Sequence, residues 1–143
     1  MDTTNILETL IVSGHRLTRL SAQTTGSAVS SAVWTSLSIL TTDGPHRIGD
    51  LARAARISQP GMTKILQTLV EDEWVRRIAV ADDSRAWLIA ITPKGAEALA
   101  SWRAQLADAM RPVFADLTDD DWDVLSRAAE LLSSRVSVGM AAA

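Results

Sequence analysis

The chain has 143 residues, no cysteine, a formal net charge of −3 and a hydrophobic fraction of 47%. This length suits one domain with a substantial core, and the composition excludes an intrinsically disordered chain. The lack of cysteine excludes disulfides, thiolate zinc sites and iron–sulfur ligands, fits a cytoplasmic location and leaves us expecting no cofactor.

The N-terminal part of the chain predicts two helices. Apolar residues recur at helical spacing over residues 5 to about 21 and again over 27 to 41, after which Asp-Gly-Pro at 43–45 stops the second helix. No basic residue precedes the apolar run 6–12, so we expect no signal peptide. The uncharged stretch 21–42 is too rich in serine and threonine for a membrane span, and we expect no membrane association.

Two short helices and a β-hairpin follow. The helices are predicted at 47–55 and 58–73, the second with Ser58 as its N-cap and Pro60 in its first turn, where a helix does not need the missing amide. Apolar and β-branched residues at 75–80 and 86–92, separated by a polar segment, predict the two strands of the hairpin.

Two further helices complete the chain. Thr92 and Pro93 are suited to the N-cap and first position of the fifth helix, and Pro112 should bend or end it. Thr118 and Asp121 resemble a capping box at the start of the last helix, whose acidic residues suit the positive end of the helix dipole.

We interpret residues 1–143 as a single domain, mainly α with a small β-hairpin wing. Residues 27–94 would form a winged helix-turn-helix, residues 1–26 and 112–143 dimerisation helices, and residues 93–111 a connecting helix. The terminal helices carry apolar stripes that a chain of this size cannot cover internally, which favours a homodimer.

The second short helix has the side chains of a DNA-reading surface. Helical spacing from its apolar residues puts Gln59, Thr63, Lys64 and Gln67 on the outward face. Glutamine can pair with adenine, threonine can contact a thymine methyl group, and lysine can meet guanine or phosphate. Gly61 has no side chain to hold the backbone away from DNA. For this helix taken alone, an ordinary solvated face is the alternative.

The hairpin tip and the local charge point the same way. The guanidinium of Arg85 suits a narrow minor groove, and Asp83 can fix its direction, although an exposed ion pair at a turn is the alternative. Residues 47–94 hold eight basic and six acidic residues, against six and eleven in the rest of the chain. A basic module therefore lies between acidic flanks.

Four sequence features together resemble a known family. They are the helix-turn-helix ending in Ile-Ser-Gln-Pro at 57–60, the Trp-Val-Arg-Arg junction at 74–77, the Asp-Asp-Ser-Arg wing tip at 82–85, and the wing exit Thr-Pro-Lys-Gly at 92–95. This pattern is similar to that of the MarR family of bacterial transcriptional regulators, and the flanking helices also stand where that family has them.

The resemblance implies a homodimer built from the first, fifth and sixth helices. It implies that residues 58–67 enter the major groove of double-stranded DNA and that Arg85 enters the minor groove. A two-fold dimer in turn predicts a pseudo-palindromic operator. It also implies that a small, often phenolic or otherwise aromatic, ligand weakens DNA binding from a cleft between the dimerisation and DNA-binding regions. We expect a repressor by default, because no segment resembles an activation surface. The DNA-contacting residues that we assign are Ser58, Gln59, Pro60, Gly61, Thr63, Lys64, Gln67, Arg47, Arg76, Asp83, Ser84 and Arg85.

The sequence departs from the usual pattern at two places. Ala55 stands where the turn between the two short helices often has glycine, which predicts mild backbone strain there. Acidic residues at 71–73 lie at the C-terminal end of the helix predicted at 58–73, where the helix dipole disfavours negative charge.

A ligand cleft is predicted where the first two helices approach the helix-turn-helix and the start of the fifth helix. His15, Arg16, Trp34 and Ser38 are its candidate lining. Arg16 can pair with a carboxylate, and Trp34, one helical turn from Ser38, can stack on an aromatic ring. The alternative is that Trp34 packs in the core and Arg16 makes a surface ion pair.

The residues give no sign of catalysis. The two histidines are far apart and lack metal-site spacing, and there is no nucleophile elbow or phosphate loop, so we expect no metal site, no catalytic residue and no enzyme. The prediction is a sequence-specific DNA-binding regulator. The alternative is a winged helix used as a protein–protein module, against which Gln59, Lys64 and Arg85 argue together.

Overall fold

The computed structural model describes residues 1–81 and 83–142, and for Asp83 and Ser84 it describes the backbone alone. The helices are α1 (Thr3–Thr25), α2 (Ser31–Asp43), α3 (Ile48–Ala55), α4 (Gln59–Glu71), α5 (Pro93–Met110) and α6 (Asp119–Ala142). The strands are β1 (His46–Arg47), β2 (Val75–Val80) and β3 (Asp83–Ile91), and a short 3₁₀ turn (Arg111–Phe114) follows α5.

The strands form one antiparallel sheet in the order β1-β3-β2. This confirms the mainly α fold with a small wing and adds a third strand. In β1, His46 pairs with Ile89. This strand has only two residues, which are too few to show an alternating apolar pattern in the sequence. The predicted loop at 81–85 was too long, because β3 begins at Asp83; the register shifts between Ala79 and Val80 on the opposite strand.

The first helices differ from their predicted limits for local reasons. α1 is longer at both ends, because the Asp2 carboxylate accepts a hydrogen bond from the Asn5 amide at 2.9 Å and Gly26 ends the helix with a φ of 60°. α2 begins at Ser31, four residues later than predicted. The Ser27 hydroxyl accepts a hydrogen bond from the Val29 amide at 3.3 Å, which favours a turn before the helix.

The chain divides into two compact units, Met1–Ala109 and Met110–Ala143. The core of the first unit is formed by α2, α3, α4, α5 and the sheet. Its largest fully buried apolar side chains are Leu37, Leu51, Met62, Leu66, Leu69, Ile89, Leu99 and Val75. Burying each such side chain contributes about 1.5–3 kcal/mol, so this core fixes the angle between α3 and α4 and the seat of the wing.

The turn between α3 and α4 corrects one expectation. Ala55 is the last helical residue and carries no strain, whereas Arg56 adopts the left-handed conformation with a φ of 58°. The Arg56 amide donates to the Arg53 carbonyl at 3.1 Å, and the Ile57 amide to the Ala52 carbonyl at 3.0 Å. These bonds close the end of α3 and hold a non-glycine residue in a conformation that it rarely adopts.

In the second unit the predicted capping box is confirmed. The Asp121 carboxylate accepts hydrogen bonds from the Thr118 hydroxyl at 2.7 Å and the Thr118 amide at 3.0 Å, and the Thr118 hydroxyl accepts one from the Asp121 amide at 3.3 Å. The hydrogen bonds from Thr118 lower the pKa of Asp121. Pro112 lies in the 3₁₀ turn directly after α5 ends, as predicted.

The outer surfaces of α1 and α6 are rich in exposed apolar side chains. Those of α1 are Ile6, Leu7, Leu10, Ile11, Val12, Leu17 and Leu20, and those of α6 include Trp122, Val124, Leu125, Leu131, Leu132, Val136, Val138 and Met140. Within residues 1–81 and 83–142, no helix is long and apolar enough to cross a bilayer.

Candidate nucleic-acid interface

The N-terminal turn of α4 is held by its cap. The Ser58 hydroxyl accepts a hydrogen bond from the Gly61 amide at 3.1 Å, and Pro60 lies in the first turn. A Cβ atom on Gly61 would lie 3.0 Å from the Ser58 hydroxyl oxygen. Glycine at this position therefore makes room for the cap, which is a structural reason for it besides close approach to DNA.

One face of α4 is buried and the other is exposed and polar. Met62, Leu66 and Leu69 pack in the core, and the exposed residues include Gln59, Thr63, Lys64 and Gln67. The Thr63 hydroxyl donates to the Gln59 carbonyl at 3.0 Å, so its donor is used within the helix while its methyl group remains exposed. Thr63 is thus better suited to a thymine methyl group than to a donor contact.

Three of the predicted DNA-contacting residues are arginines on the strands of the sheet. Arg47, Arg76 and Arg85 lie on β1, β2 and β3 and are exposed. Exposed guanidinium groups can bind the phosphates of a DNA backbone. The predicted roles of the Asp83 and Ser84 side chains, and of the Asp82 part of the wing tip, lie outside what the structure describes.

A pocket of about 330 Å³ opens between the start of α3, the start of α4 and the wing. Its lining is Arg47, Ile48, Gly49, Gln59, Arg85, Ala86 and Trp87. A Cβ atom on Gly49 would lie 3.4 Å from the Gln59 side-chain oxygen, so this amide lies over the first turn of α3. Arg47, Gln59 and Arg85 are predicted DNA contacts, but the sequence does not predict that they meet with Trp87 in one pocket.

The wing exit is attached to the end of α4 by the Thr-Pro-Lys-Gly sequence. The Thr92 hydroxyl accepts from the Gly95 amide at 3.0 Å, which caps α5, and donates to the Glu73 carbonyl at 2.5 Å. The Thr92 amide donates to the Trp74 carbonyl at 3.0 Å. A Cβ atom on Gly95 would lie 2.1 Å from the Trp74 carbonyl oxygen, so this close approach requires glycine. The Lys94 ammonium group lies 3.6 Å from the Glu73 carboxylate.

Two of the four candidate ligand residues lie together. Trp34 is only 6% exposed, and its ring stacks on Trp102 with a centroid distance of 4.6 Å and on Trp74 at 5.7 Å. Its indole N–H is buried without a hydrogen-bond partner among the described residues. Ser38 is half-buried and accepts a hydrogen bond from the Arg103 guanidinium at 3.1 Å, a neighbour that the sequence does not predict.

The other two candidates lie on the exposed surface of α1. His15 and Arg16 make no described hydrogen bond, ion pair or ring contact with Trp34 or Ser38. Within the described part of the chain, no three His, Asp or Glu residues come together in a metal-binding group.

A capped helix with a polar face, a second helix across a tight turn and an arginine-bearing wing define a winged helix-turn-helix protein. The family model described as MarR family matches residues 29–87, which run from the residues before α2 to Trp87. Over these residues the sequence matches the family model, as its motifs predict. Members of this family are DNA-binding transcriptional regulators, so the prediction that the chain is not an enzyme is also confirmed.

Similar proteins extend this match along the chain. An HTH-type transcriptional regulator of Mycobacterium bovis is 29% identical over 110 residues, which are 77% of this chain and 77% of the relative. The HTH-type transcriptional regulator YpoP of Bacillus subtilis is 35% identical over 66 residues, which are 46% of this chain and 47% of that protein.

Solved structures agree on the fold. Transcriptional regulator Tm0710 from Thermotoga maritima has a TM-score of 0.75 at 16% identity and covers 97% of this chain and 99% of its own. A MepR mutant of S. aureus, bound to an oligodeoxyribonucleotide, has a TM-score of 0.62 at 17% identity and covers 94% and 99%. These likenesses confirm the winged helix with long flanking helices.

Proposed function

We propose that this chain is a sequence-specific regulator that binds double-stranded DNA, with α4 in the major groove and the wing at the minor groove. The observation that carries the proposal is the exposed polar face of α4, which carries Gln59, Thr63, Lys64 and Gln67, together with exposed arginines on the strands of the sheet. The MepR structure, a fold neighbour bound to an oligodeoxyribonucleotide, supports the same use of the fold.

The arginine and glutamine side chains have different roles in this proposal. Arg47, Arg76 and Arg85 supply attraction to phosphates, which weakens as salt rises because bound counterions are released. Gln67 and Gln59 can distinguish bases, each bidentate pairing contributing about 1–3 kcal/mol of discrimination. Acidic residues elsewhere give the chain its net charge of −3. The affinity for DNA therefore depends on the charge of this local surface and not on the net charge of the chain.

The regulator would act as a homodimer on a two-fold operator. The exposed apolar surfaces of α1 and α6 need an apolar partner, and a second copy of the chain supplies an identical one. A two-fold dimer places its α4 helices at half-sites about 34 Å apart, roughly one turn of DNA. Binding at such an operator over a promoter would repress transcription.

The experiment that tests the proposal is a gel shift at moderate salt with DNA from upstream of the chain's own gene, against an excess of unrelated duplex. We expect a saturable complex that survives the competitor and weakens steeply with salt. Failure to bind any duplex would favour the winged helix as a protein–protein module. The control variant Gln105→Ala, an exposed change on α5, should bind like the wild type.

One buried group favours ligand control as a second part of the function. The Trp34 indole N–H has no acceptor among the described residues, although burying such a donor without a partner costs free energy. An aromatic acid held near α2 could supply that acceptor and pair its carboxylate with Arg103 or Arg16. It would lower DNA affinity only by its preference for the state that does not bind DNA.

Ligand control is tested by titrating small aromatic acids while following tryptophan fluorescence and DNA release together. We expect release to accompany a fluorescence change that Trp34→Phe abolishes and Trp122→Phe preserves. Release with an unchanged response in Trp34→Phe would place the ligand elsewhere, and no release by a broad panel would contradict ligand control at this site.

A further inference from the structure

The pocket beside the wing contains an indole that the core does not use. Successive strand residues point to opposite faces, so Trp87 shares its face of β3 with Ile89. Ile89 is fully buried against the helices, whereas Trp87 is 44% exposed at the open edge of the same face. A large aromatic side chain left half in water at the mouth of a pocket is the kind of surface that a partner covers.

The position of this pocket identifies what would cover it. It lies between Gln59, at the start of α4, and Arg85 of the wing. In duplex DNA the sugar–phosphate backbone separates the major groove from the minor groove. A protein that places one element in each groove must therefore straddle one backbone strand, and the pocket lies where that strand passes.

The lining has the matching chemistry. Arg47 and Arg85 offer guanidinium groups, and the Gln59 amide offers a further donor, while Trp87 and Ala86 form an apolar wall. Phosphate oxygens accept hydrogen bonds from such donors, and the apolar edge of a deoxyribose can pack on an aromatic ring. The lining residues include no carboxylate that would repel a phosphate.

We infer that this pocket holds one phosphate and the adjoining deoxyribose of the DNA backbone, with Trp87 as the sugar-contacting residue. The inference rests on the proposed function, since it assumes that α4 and the wing bind duplex DNA. Trp87 then adds affinity that is independent of both sequence and charge. This independence distinguishes the Trp87 contact from the base contacts of α4, which depend on sequence, and from the arginine contacts, which depend on salt.

The inference is tested with Trp87→Ala and Trp87→Phe, measured on an operator fragment and on unrelated duplex over a range of salt. We expect Trp87→Ala to weaken both complexes by a similar factor, about ten-fold by analogy with aromatic stacking on nucleic acids, and to leave the salt slope unchanged. Trp87→Phe should restore most of the affinity. Arg47→Gln should instead lower the salt slope by about one.

Fluorescence supplies a second readout that does not depend on stability. Binding of duplex should change the emission of the wild type, and Trp87→Phe should lose most of that change. Inorganic phosphate, which lacks the sugar, should produce no such change at millimolar concentration. A response to it would mean that the pocket binds a free anion without a sugar on Trp87, which overturns the inference.

The outcomes distinguish this inference from the proposed function. If the wild type binds no DNA, the proposed function itself fails. If the wild type binds and Trp87→Ala binds equally well with an unchanged fluorescence response, the proposed function stands and the backbone contact is wrong. If Trp87→Ala weakens only the operator complex, Trp87 contacts a base and the assignment to the sugar is wrong. Thermal unfolding should show that both variants remain folded at the temperature of the binding measurements, since the side chain is 44% exposed and lies outside the fully buried core.

Discussion

Helix α4 and the terminal helices α1 and α6 all have exposed faces, but the exposed side chains are polar on α4 and largely apolar on α1 and α6. On α4 the apolar residues are buried and the exposed side chains are polar. On α1, Ile11 is 71% exposed, and on α6, Val124 is 68% exposed. A polar face can meet a hydrated partner such as DNA, whereas an apolar face is stabilised only by a dry one. Two different partners are therefore expected for the two regions.

The largest expected effect is on stability, and it comes from adding a methyl group at the packed wing junction. The same change on the exposed helix α6 is the comparison. Gly95→Ala puts a Cβ atom 2.1 Å from the Trp74 carbonyl oxygen, so the junction must shift. We expect a loss of about 3 kcal/mol or more in the free energy of unfolding, the upper range for overpacking. The matched change Gly139→Ala on α6 meets nothing within 4 Å and should stabilise by roughly 0.5–1 kcal/mol through helix propensity. Urea denaturation measures both, and equal effects would contradict this contrast.

The second prediction concerns the apolar face of α6. Leu132→Glu would bury a carboxylate in the proposed dimer interface, at a cost of several kcal/mol, and should raise the dimer dissociation constant by about 100-fold or more. Ser133→Glu adds the same charge at the neighbouring exposed position and is the control. Sedimentation equilibrium measures both. A wild type that is monomeric at micromolar concentration would mean that another partner covers the apolar faces.

The third prediction concerns the polar face of α4. Gln67→Ala should lose about 1–3 kcal/mol of discrimination at one base pair and leave the salt dependence unchanged. Arg85→Ala should weaken binding to every sequence and lower the salt slope by about one. Competition between operator variants with single base changes measures the first, and a salt titration the second. Identical behaviour of the two variants would contradict the assignment of base discrimination to Gln67 and of phosphate binding to Arg85.

The smallest effect is a pH dependence at the start of α6. Thr118 donates hydrogen bonds to the ionised Asp121 carboxylate and so lowers its pKa in the folded protein. The folded state therefore binds this proton less readily than the unfolded chain. The stabilisation is complete above the ordinary aspartate pKa of about 4 and is lost as pH falls through the lowered value.

Thermal unfolding followed by circular dichroism at about pH 6 and about pH 3 checks this prediction. The difference in melting temperature between the two pH values should be smaller in Asp121→Asn than in the wild type. Asp123→Asn, two residues further along α6, is the control and should keep the wild-type difference. A wild-type difference in Asp121→Asn would contradict the role of the capping box.

The features that could be predicted from the sequence depend on residues close together in the chain. Ser58, Thr92 and Thr118 each make their capping bond within three residues, so the pattern alone indicates the helix start. The α4 outward face follows from helical spacing in the same way. The interpretation of α4 as the reading helix came from this local pattern and from the family resemblance.

The features that the sequence could not show depend on tertiary contacts. The strand β1 forms only by pairing with β3, and two residues carry no period. Trp87, Arg47 and Gln59 are far apart in the sequence, and only the folded wing brings them together around one pocket. The sequence predicts strain at Ala55, but the left-handed residue is Arg56. The sequence pattern does not locate this residue, because the end of α3 depends on how Ile57 packs against the core.

The central claim, that α4 lies in the major groove, has a direct test because the chain contains no cysteine. Thr68→Cys gives one thiol on the exposed side of α4 without removing a proposed reading residue, and an iron chelate attached there cleaves nearby DNA. We predict two clusters of cleavage in the major groove, one in each half-site and about one helical turn apart. Cleavage centred in the minor groove, or equal cleavage along the whole duplex, would contradict the account.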